Sequence, residues 1–162
     1  MEESSKRNLM TLLKNQGIVL ALVLVFMIFS FGSKEFSTLE NYILILRQVA
    51  VIGVMAAGMT YVIIGGNFDL SVGSLLSLCC VVCISLHDSI GPIPAMIITL
   101  IVGMVSGLVS GFLVGYVKLN SMIVTLGMMN ILQALALIWT DGKYVQIAHG
   151  ESWFTQIGRG SI

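Results

Sequence analysis

Charged residues are the scarcest class in this sequence. Asp, Glu, Lys and Arg together make up 10% of its 162 residues, whereas a soluble domain carries roughly 25%. So few charges cannot cover a water-facing surface, and the composition therefore excludes an ordinary soluble domain. Basic and acidic residues cancel to a formal net charge of zero, which offers no basic patch for a nucleic acid.

Residues that carry out chemistry are also few. The three cysteines, Cys79, Cys80 and Cys83, share one apolar run without zinc-type ligand spacing, which favours small buried side chains over a metal site. His87 and Asp88 suggest general-base chemistry, but no Ser or Cys nucleophile accompanies them. With Gly91, Pro92 and Pro94 they predict a solvated loop at residues 87–94 instead. The sequence contains no Walker-type loop ending in Gly-Lys-Ser/Thr. We therefore expect no metal, no cofactor and no catalytic site in this chain.

Apolar residues are abundant. They make up 57% of the chain and give it a mean hydropathy of +1.00. A helix needs about 20 predominantly apolar residues to cross a bilayer. The sequence therefore predicts an all-α, polytopic transmembrane protein with about five spans, at residues 17–33, 42–64, 70–86, 95–117 and 121–140.

A polar interruption between the second and third spans organises the chain. Asp69 is the only charged residue between Arg47 and Asp88, and a carboxylate at membrane depth is costly unless it faces protein or water. Adjacent glycines can end one helix, and Asn67 or Asp69 can cap the next. Two interpretations stay open: a turn that only satisfies backbone groups, or a broken helix that lines a pathway.

The polar N-terminal segment, residues 1–16, sets the predicted orientation. It carries Lys6, Arg7 and Lys14, and basic residues favour the cytoplasmic side of a first span. The apolar stretch that follows lacks a small-residue cleavage pattern, so a retained span is favoured over a signal peptide. Alternation then places the polar interruption and Lys118 toward the cytoplasm, and residues 141–162 outside.

A second regular feature is a glycine at every fourth position of the fourth span. Because residues four apart lie on one side of a helix, these glycines form a groove where another backbone can approach closely. The pattern predicts tight helix packing and indicates no chemistry. The four residues are Gly103, Gly107, Gly111 and Gly115.

The polar interruption resembles the signature of ABC-importer permeases for ribose and related simple sugars. That signature has two glycines, one further residue and then Asp-Leu-Ser-Val-Gly-Ser. Similar motifs follow in the expected order, including Val124–Met128 and Thr140–Lys143. The signature positions, which the resemblance implies to belong to the pathway, are here Gly65, Gly66, Asn67, Asp69, Leu70, Ser71, Gly73 and Ser74.

Several positions depart from that family's pattern. Asn67-Phe68 occupies the place of a single residue, Asn120-Ser121-Met122 replaces a segment that often contains proline, and Gln133-Ala134 stands where Arg-Gly is frequent. Members of the family are also roughly twice as long, with about ten spans at ~20 residues each. We therefore expect the N-terminal half of a permease, which stops before a sixth span and lacks the cytoplasmic segment that engages the ATPases.

The resemblance implies a non-catalytic pathway subunit in the inner membrane of a bacterial cell, surrounded by lipid. Two such permeases form the route between them, an extracytoplasmic sugar-binding protein delivers the sugar, and cytoplasmic ATPase subunits drive alternating access.

Other classes of membrane protein share some of these features. An ion-coupled secondary transporter using Asp69 at a broken helix should have further carboxylates in its spans, and none is present. A membrane enzyme should show paired acid/base groups or a metal cluster, which are also absent from the spans. A purely structural membrane subunit remains a further alternative.

Overall fold

The structure is a computed structural model that describes residues 2–147 and 153–159. Throughout these residues the chain forms helices and turns without a β-strand, which confirms the all-α prediction. The helices are α1 (Glu2–Gly32), α2 (Leu39–Ile64), α3 (Val72–Ile90), α4 (Pro92–Gly111, continued by a π-helical turn at Phe112–Tyr116), α5 (Ser121–Thr140) and α6 (Trp153–Arg159).

Four of the described helices are long and apolar enough to cross a membrane. They are α2, α3, α4 with its π-helical turn, and α5. The apolar part of α1, Gln16–Gly32, is shorter, although about 17 residues still lie within the range seen for membrane spans. The chain is thus a polytopic helical membrane protein, with four full-length spans and one shorter apolar helix in its described part.

The chain divides into two compact units, of which the first is Met1–Val54. Within it, α1 bends at Gln16, where φ is −128° and ψ is 17°, at the boundary between the polar segment and the apolar stretch. The turn that joins α1 to α2 is held by aromatic rings. Phe36 packs on Phe26 with ring centroids 5.1 Å apart, and Tyr42 stacks on Phe26 at 5.8 Å.

The second unit, Met55–Ile162, is built on α3. This helix packs against α4 on one side and α5 on the other. Its apolar core lies between α3 and α5, where branched and long side chains interdigitate and leave little exposed surface. The buried core residues are Leu78, Val82, Val124, Met128, Leu132 and Ala136.

The connection between α3 and α4 differs from the loop predicted at residues 87–94. α3 continues to Ile90, and α4 begins at Pro92, which leaves Gly91 with a φ of 87° as the whole turn. Proline is well tolerated in the first turn of a helix because its missing N–H has no partner there. The prolines therefore start a helix here, although they suggested a loop in the sequence.

The predicted solvated loop is also wrong for His87. Its residue exposure is 6%, and its ring lies 5.5 Å from that of Phe154 in α6. Its Nδ1 lies 2.9 Å from the Asp88 carboxylate. The contact with Phe154 brings the end of α3 to the same end of the unit as the segment that follows α5.

Candidate functional site at the helix break

The end of α2 is closed by the two glycines of the signature. Gly66 adopts a left-handed φ of 74°, its N–H donates to the Ile63 carbonyl, and the Asn67 N–H donates to the Val62 carbonyl. This pair of bonds is the Schellman arrangement, in which glycine is favoured because it has no Cβ. The sequence therefore ends α2 at a defined residue and turns the chain toward α3.

Asp69 organises the start of α3. Its Oδ1 accepts a hydrogen bond from the Ser71 N–H at 2.8 Å and a second from the Ser71 hydroxyl at 2.6 Å. Ser71 is 3% exposed, and its carbonyl accepts the first helical bond, from Leu75 N–H. Asp69 thus holds the turn just ahead of α3. The N-cap residue of α3 is Ser71, and no described side chain makes a capping hydrogen bond there, so the predicted cap at Asp69 is wrong. Its bond to the Ser71 backbone fits either interpretation of the break.

The break is tied directly to the start of α5. The Phe68 N–H donates to the Ser121 hydroxyl at 3.3 Å. One residue earlier, Asn120 caps α5 by accepting from the Met122 N–H at 2.9 Å. Two helix starts therefore lie side by side at one end of the unit, and α3 and α5 run in the same direction from there.

A cavity of about 410 Å³ opens beside these helix starts. The signature contributes Gly65, Asn67 and Asp69 to its wall, and α4 contributes Gly107, Gly111 and Gly115. The signature motif and the glycine repeat of α4, which are separate in the sequence, therefore line the same cavity. The signature residues outside the lining set are Gly66, Leu70, Ser71, Gly73 and Ser74, and Gly103 of α4 is also outside it.

Within the described part of the second unit, no other helix fills the space at three of the four glycines of α4. A Cβ added at Gly107, Gly111 or Gly115 would meet no described atom within 4 Å, whereas one at Gly103 would lie 4.0 Å from the Cys79 sulfur. Gly103 therefore belongs to the contact between α3 and α4. The tight packing that the pattern predicts at the other three stays a prediction about elements outside the described residues.

Sequence reasoning did not single out several polar residues of the cavity. Tyr61, Ser110, Ser121 and Thr125 complete its polar wall. Thr125 is 3% exposed, and its hydroxyl donates a hydrogen bond to the Ser121 carbonyl at 2.8 Å. Ser110 stands next to Gly111 in the small-residue pattern, which was the available signal. Thr125 and Ser121 could not be assigned before the direction of α5 relative to the break was known.

The chemistry of this cavity is that of neutral hydrogen bonding around one carboxylate. Hydroxyl and amide groups donate and accept, and Asp69, which is half-buried, supplies acceptors only. Among the residues that the structure describes, no group of three or more His, Cys, Asp and Glu side chains is placed to hold a metal ion. Such a lining suits binding and orienting a small polar molecule.

Comparison with known proteins gives a consistent family. Residues 41–159 match the family model described as "Branched-chain amino acid transport system / permease component". The ribose import permease protein RbsC of Haemophilus influenzae is 32% identical over 99% of this chain and 50% of its own length. RbsC of Bacillus subtilis is 37% identical over 89% of this chain and 45% of its own. No solved structure matches the chain.

A related protein carries a different substrate in its name. The autoinducer 2 import system permease protein LsrC of Escherichia coli is 29% identical over 79% of this chain and 38% of its own length. The chain therefore spans about half the length, or less, of the curated relatives it matches. Its family match covers most of the chain, including both the helix break and the glycine-bearing α4. The chain belongs to the permease components of the branched-chain amino acid transport system family, and it is a helical protein of the bacterial inner membrane.

Proposed function

We propose that this chain forms part of the translocation pathway of an ATP-driven importer for ribose or a related simple sugar. The observation that carries the proposal is the cavity of about 410 Å³ in which the Asp69 break and the open glycine face of α4 meet. A pathway through a membrane needs polar groups that face a cavity and not lipid. Irregular backbone between helix ends is tolerated at membrane depth only in such a place.

The lining of the cavity favours a neutral, hydroxyl-rich molecule. Its wall offers the Asn67 amide, the hydroxyls of Ser110 and Ser121, and the Asp69 carboxylate, while the glycines leave room close to the backbone. A sugar hydroxyl both donates and accepts, so it pairs with each of these groups. Among the residues that the structure describes, none of those lining the wall is basic, so none could receive the carboxylate of an amino acid. The names of the two ribose import permeases point to the same substrate class.

The family supports a proposal for the energy source and the partners. The chain is a non-catalytic subunit, and ATP is hydrolysed by cytoplasmic ATPase subunits. A second permease subunit completes the route, lipid surrounds it, and an extracytoplasmic sugar-binding protein delivers the substrate. The N-terminal segment and the Asp69 break lie on the cytoplasmic side, and the segment after α5 lies outside.

The structure supports the alternation within the second unit. The Phe68–Ser121 hydrogen bond holds the break and the start of α5 at one end. The His87–Phe154 contact joins the end of α3 to the segment after α5 at the other.

Uptake of radiolabelled ribose into right-side-out membrane vesicles tests the proposal. The vesicles hold the assembled transporter and its binding protein, and ATP is enclosed inside. We expect uptake that stops with a non-hydrolysable ATP analogue and continues when an ionophore collapses the ion gradients. Uptake that follows an ion gradient without ATP would overturn the proposal in favour of a secondary transporter.

A further inference from the structure

A second cavity lies beside the middle of α3 and the last two turns of α5. Its volume is about 350 Å³, at the lower end of the ≈ 300–1,000 Å³ that small-molecule sites occupy. Ser77 and Cys80 of α3 and Gln133 and Thr140 of α5 line it, together with Lys143 after α5, whose ammonium pairs with the Asp141 carboxylate at 2.8 Å. Along α5 this cavity lies near the end of the helix, whereas the Asp69 cavity lies at its start. We call it the Gln133 recess.

The Gln133 side chain is the feature that needs a partner. Gln133 lies well inside α5 and is exposed, and its amide makes no hydrogen bond with any residue that the structure describes. Asn130, one turn earlier, instead donates back to the Leu126 carbonyl at 2.9 Å. An amide without a partner is costly in hydrocarbon. Gln133 therefore has to face water, a polar ligand or a polar group of another element.

Along α5, buried core residues separate the recess from the Asp69 cavity. On α5, Met128 and Leu132 lie between Thr125, which lines the first cavity, and Gln133, which lines the second. Both belong to the buried core, with exposures of 9% and 2%. The two recesses thus lie at opposite ends of α5, with buried apolar side chains between them on that helix.

We propose that the Gln133 recess is a second sugar subsite, in which the Gln133 amide binds hydroxyls of a neutral polyhydroxylated substrate on the side opposite Asp69. This rests on the proposed import of a simple sugar. An amide donates and accepts at once and therefore pairs with sugar hydroxyls, and the Ser77 and Thr140 hydroxyls extend the same chemistry. In the predicted orientation this is the outer side, so the substrate occupies it before it reaches the Asp69 cavity.

Cys80 provides a native reporter for this subsite. In a variant with Cys79→Ser and Cys83→Ser, it is the only cysteine of the chain. A negatively charged methanethiosulfonate reagent, added outside vesicles that contain the assembled transporter, should label Cys80. Saturating ribose should slow that labelling severalfold. The control keeps Cys79 alone, through Cys80→Ser and Cys83→Ser, because its sulfur points to the Thr99 carbonyl at 3.9 Å and lies outside the recess lining; ribose should not change its labelling.

Substitution of the amide gives the second measurement. Gln133→Leu should raise the KM for ribose uptake roughly tenfold, the scale of one lost hydrogen bond, with the amount of assembled transporter unchanged. Asn130→Leu is the matched control and should leave KM unchanged, because that amide is satisfied by its own helix.

Two results would overturn the subsite while ribose uptake persists. One is Cys80 labelling that ribose does not alter. The other is a Gln133→Leu variant with normal KM but less assembled transporter, which would show that Gln133 bonds a neighbouring helix. If the unmodified transporter takes up no ribose at all, the proposed function itself fails and the subsite with it.

Discussion

The interface between α3 and α5 and the glycine face of α4 are both apolar helix surfaces, yet only one is filled. Leu78, Val82 and Leu132 in the first are 5%, 3% and 2% exposed. Gly107 and Gly111 in the second are exposed, and a Cβ added there would meet no described atom within 4 Å. The first surface is completed inside this chain. The second is shaped for something that approaches from elsewhere.

The difference follows from how helices associate in lipid. Lipid tails are as apolar as leucine, so association depends on packing and hydrogen bonds and gains little from burial itself. Large side chains between α3 and α5 achieve that packing by interdigitating. Glycines achieve that packing only when another backbone comes close. An open glycine face therefore adds nothing to the stability of the helices until a partner docks on it. The predictions below test this distinction in order of expected loss of stability.

The largest loss should come from opening a void in the filled interface. Leu132→Ala removes a side chain that is 2% exposed, and comparable buried truncations cost ~2–5 kcal/mol in the free energy of unfolding. We expect the lower end of that range, because lipid solvates the lost methylenes well in the unfolded state. Ile131→Ala, next to it but 53% exposed, should cost much less. Thermal unfolding of the purified permease measures both, and equal losses would show that the interface is not close-packed.

Adding volume to the open face should have the next largest effect. Gly107→Leu should weaken assembly by ~1–3 kcal/mol, the usual cost of overpacking, if another backbone docks there. Val105→Phe is the control, because two residues away it lies on nearly the opposite side of a helix with 3.6 residues per turn. The measurement is the yield and melting temperature of the assembled transporter. Normal assembly with leucine at both position 107 and position 111 would show that the face meets lipid.

Gly66 and Gly73 of the signature should respond differently to substitution, because their backbone conformations differ. Gly66 has a left-handed φ of 74°, so Gly66→Ala should cost about 1–2 kcal/mol. Gly73 lies in the first turn of α3 with no atom near an added Cβ, so Gly73→Ala should be neutral or stabilise by up to about 1 kcal/mol, because alanine has fewer conformations in the unfolded chain. Melting temperatures of the two variants test this pair. Equal shifts would mean that the turn after α2 is not held as described.

The sequence was sufficient for the features that depend on local chemistry. Scarce charge and long apolar runs predicted helices, and the adjacent Gly65 and Gly66 predicted the end of α2. The hydrogen bond from the Ser71 N–H to Asp69 also depends on local chemistry, because an aspartate side chain readily accepts from a backbone N–H two residues later.

The remaining features depend on which helices are neighbours. The convergence of Gly107 with Asp69 and the burial of His87 against Phe154 both require the directions of α3, α4 and α5. Span-level hydropathy does not contain that information. The prolines at positions 92 and 94 were misinterpreted for a different reason, since proline both interrupts a helix and favours its first turn.

The smallest loss of stability should accompany the largest change in activity, at Asp69. Asp69→Asn keeps the shape and an acceptor for the Ser71 N–H, and Asn forms the same local turn as Asp. It weakens the 2.6 Å bond from the Ser71 hydroxyl, because charge-assisted bonds are the stronger ones. The expected cost is below about 1 kcal/mol, against about 0.5–2 kcal/mol for Asp69→Ala.

The rate of transport distinguishes a purely structural role of Asp69 from a role in the pathway. If the carboxylate acts on the cavity it lines, the Asn variant should insert normally yet take up ribose much more slowly, because half of an acceptor-only group becomes a donor. Ser71→Ala is the control, since it removes the buried hydroxyl but leaves the charge in place. It should lose stability and keep its uptake rate per inserted molecule. Wild-type uptake by Asp69→Asn would show that Asp69 only holds the turn ahead of α3. A role in the pathway would then rest on the open glycine face of α4 alone.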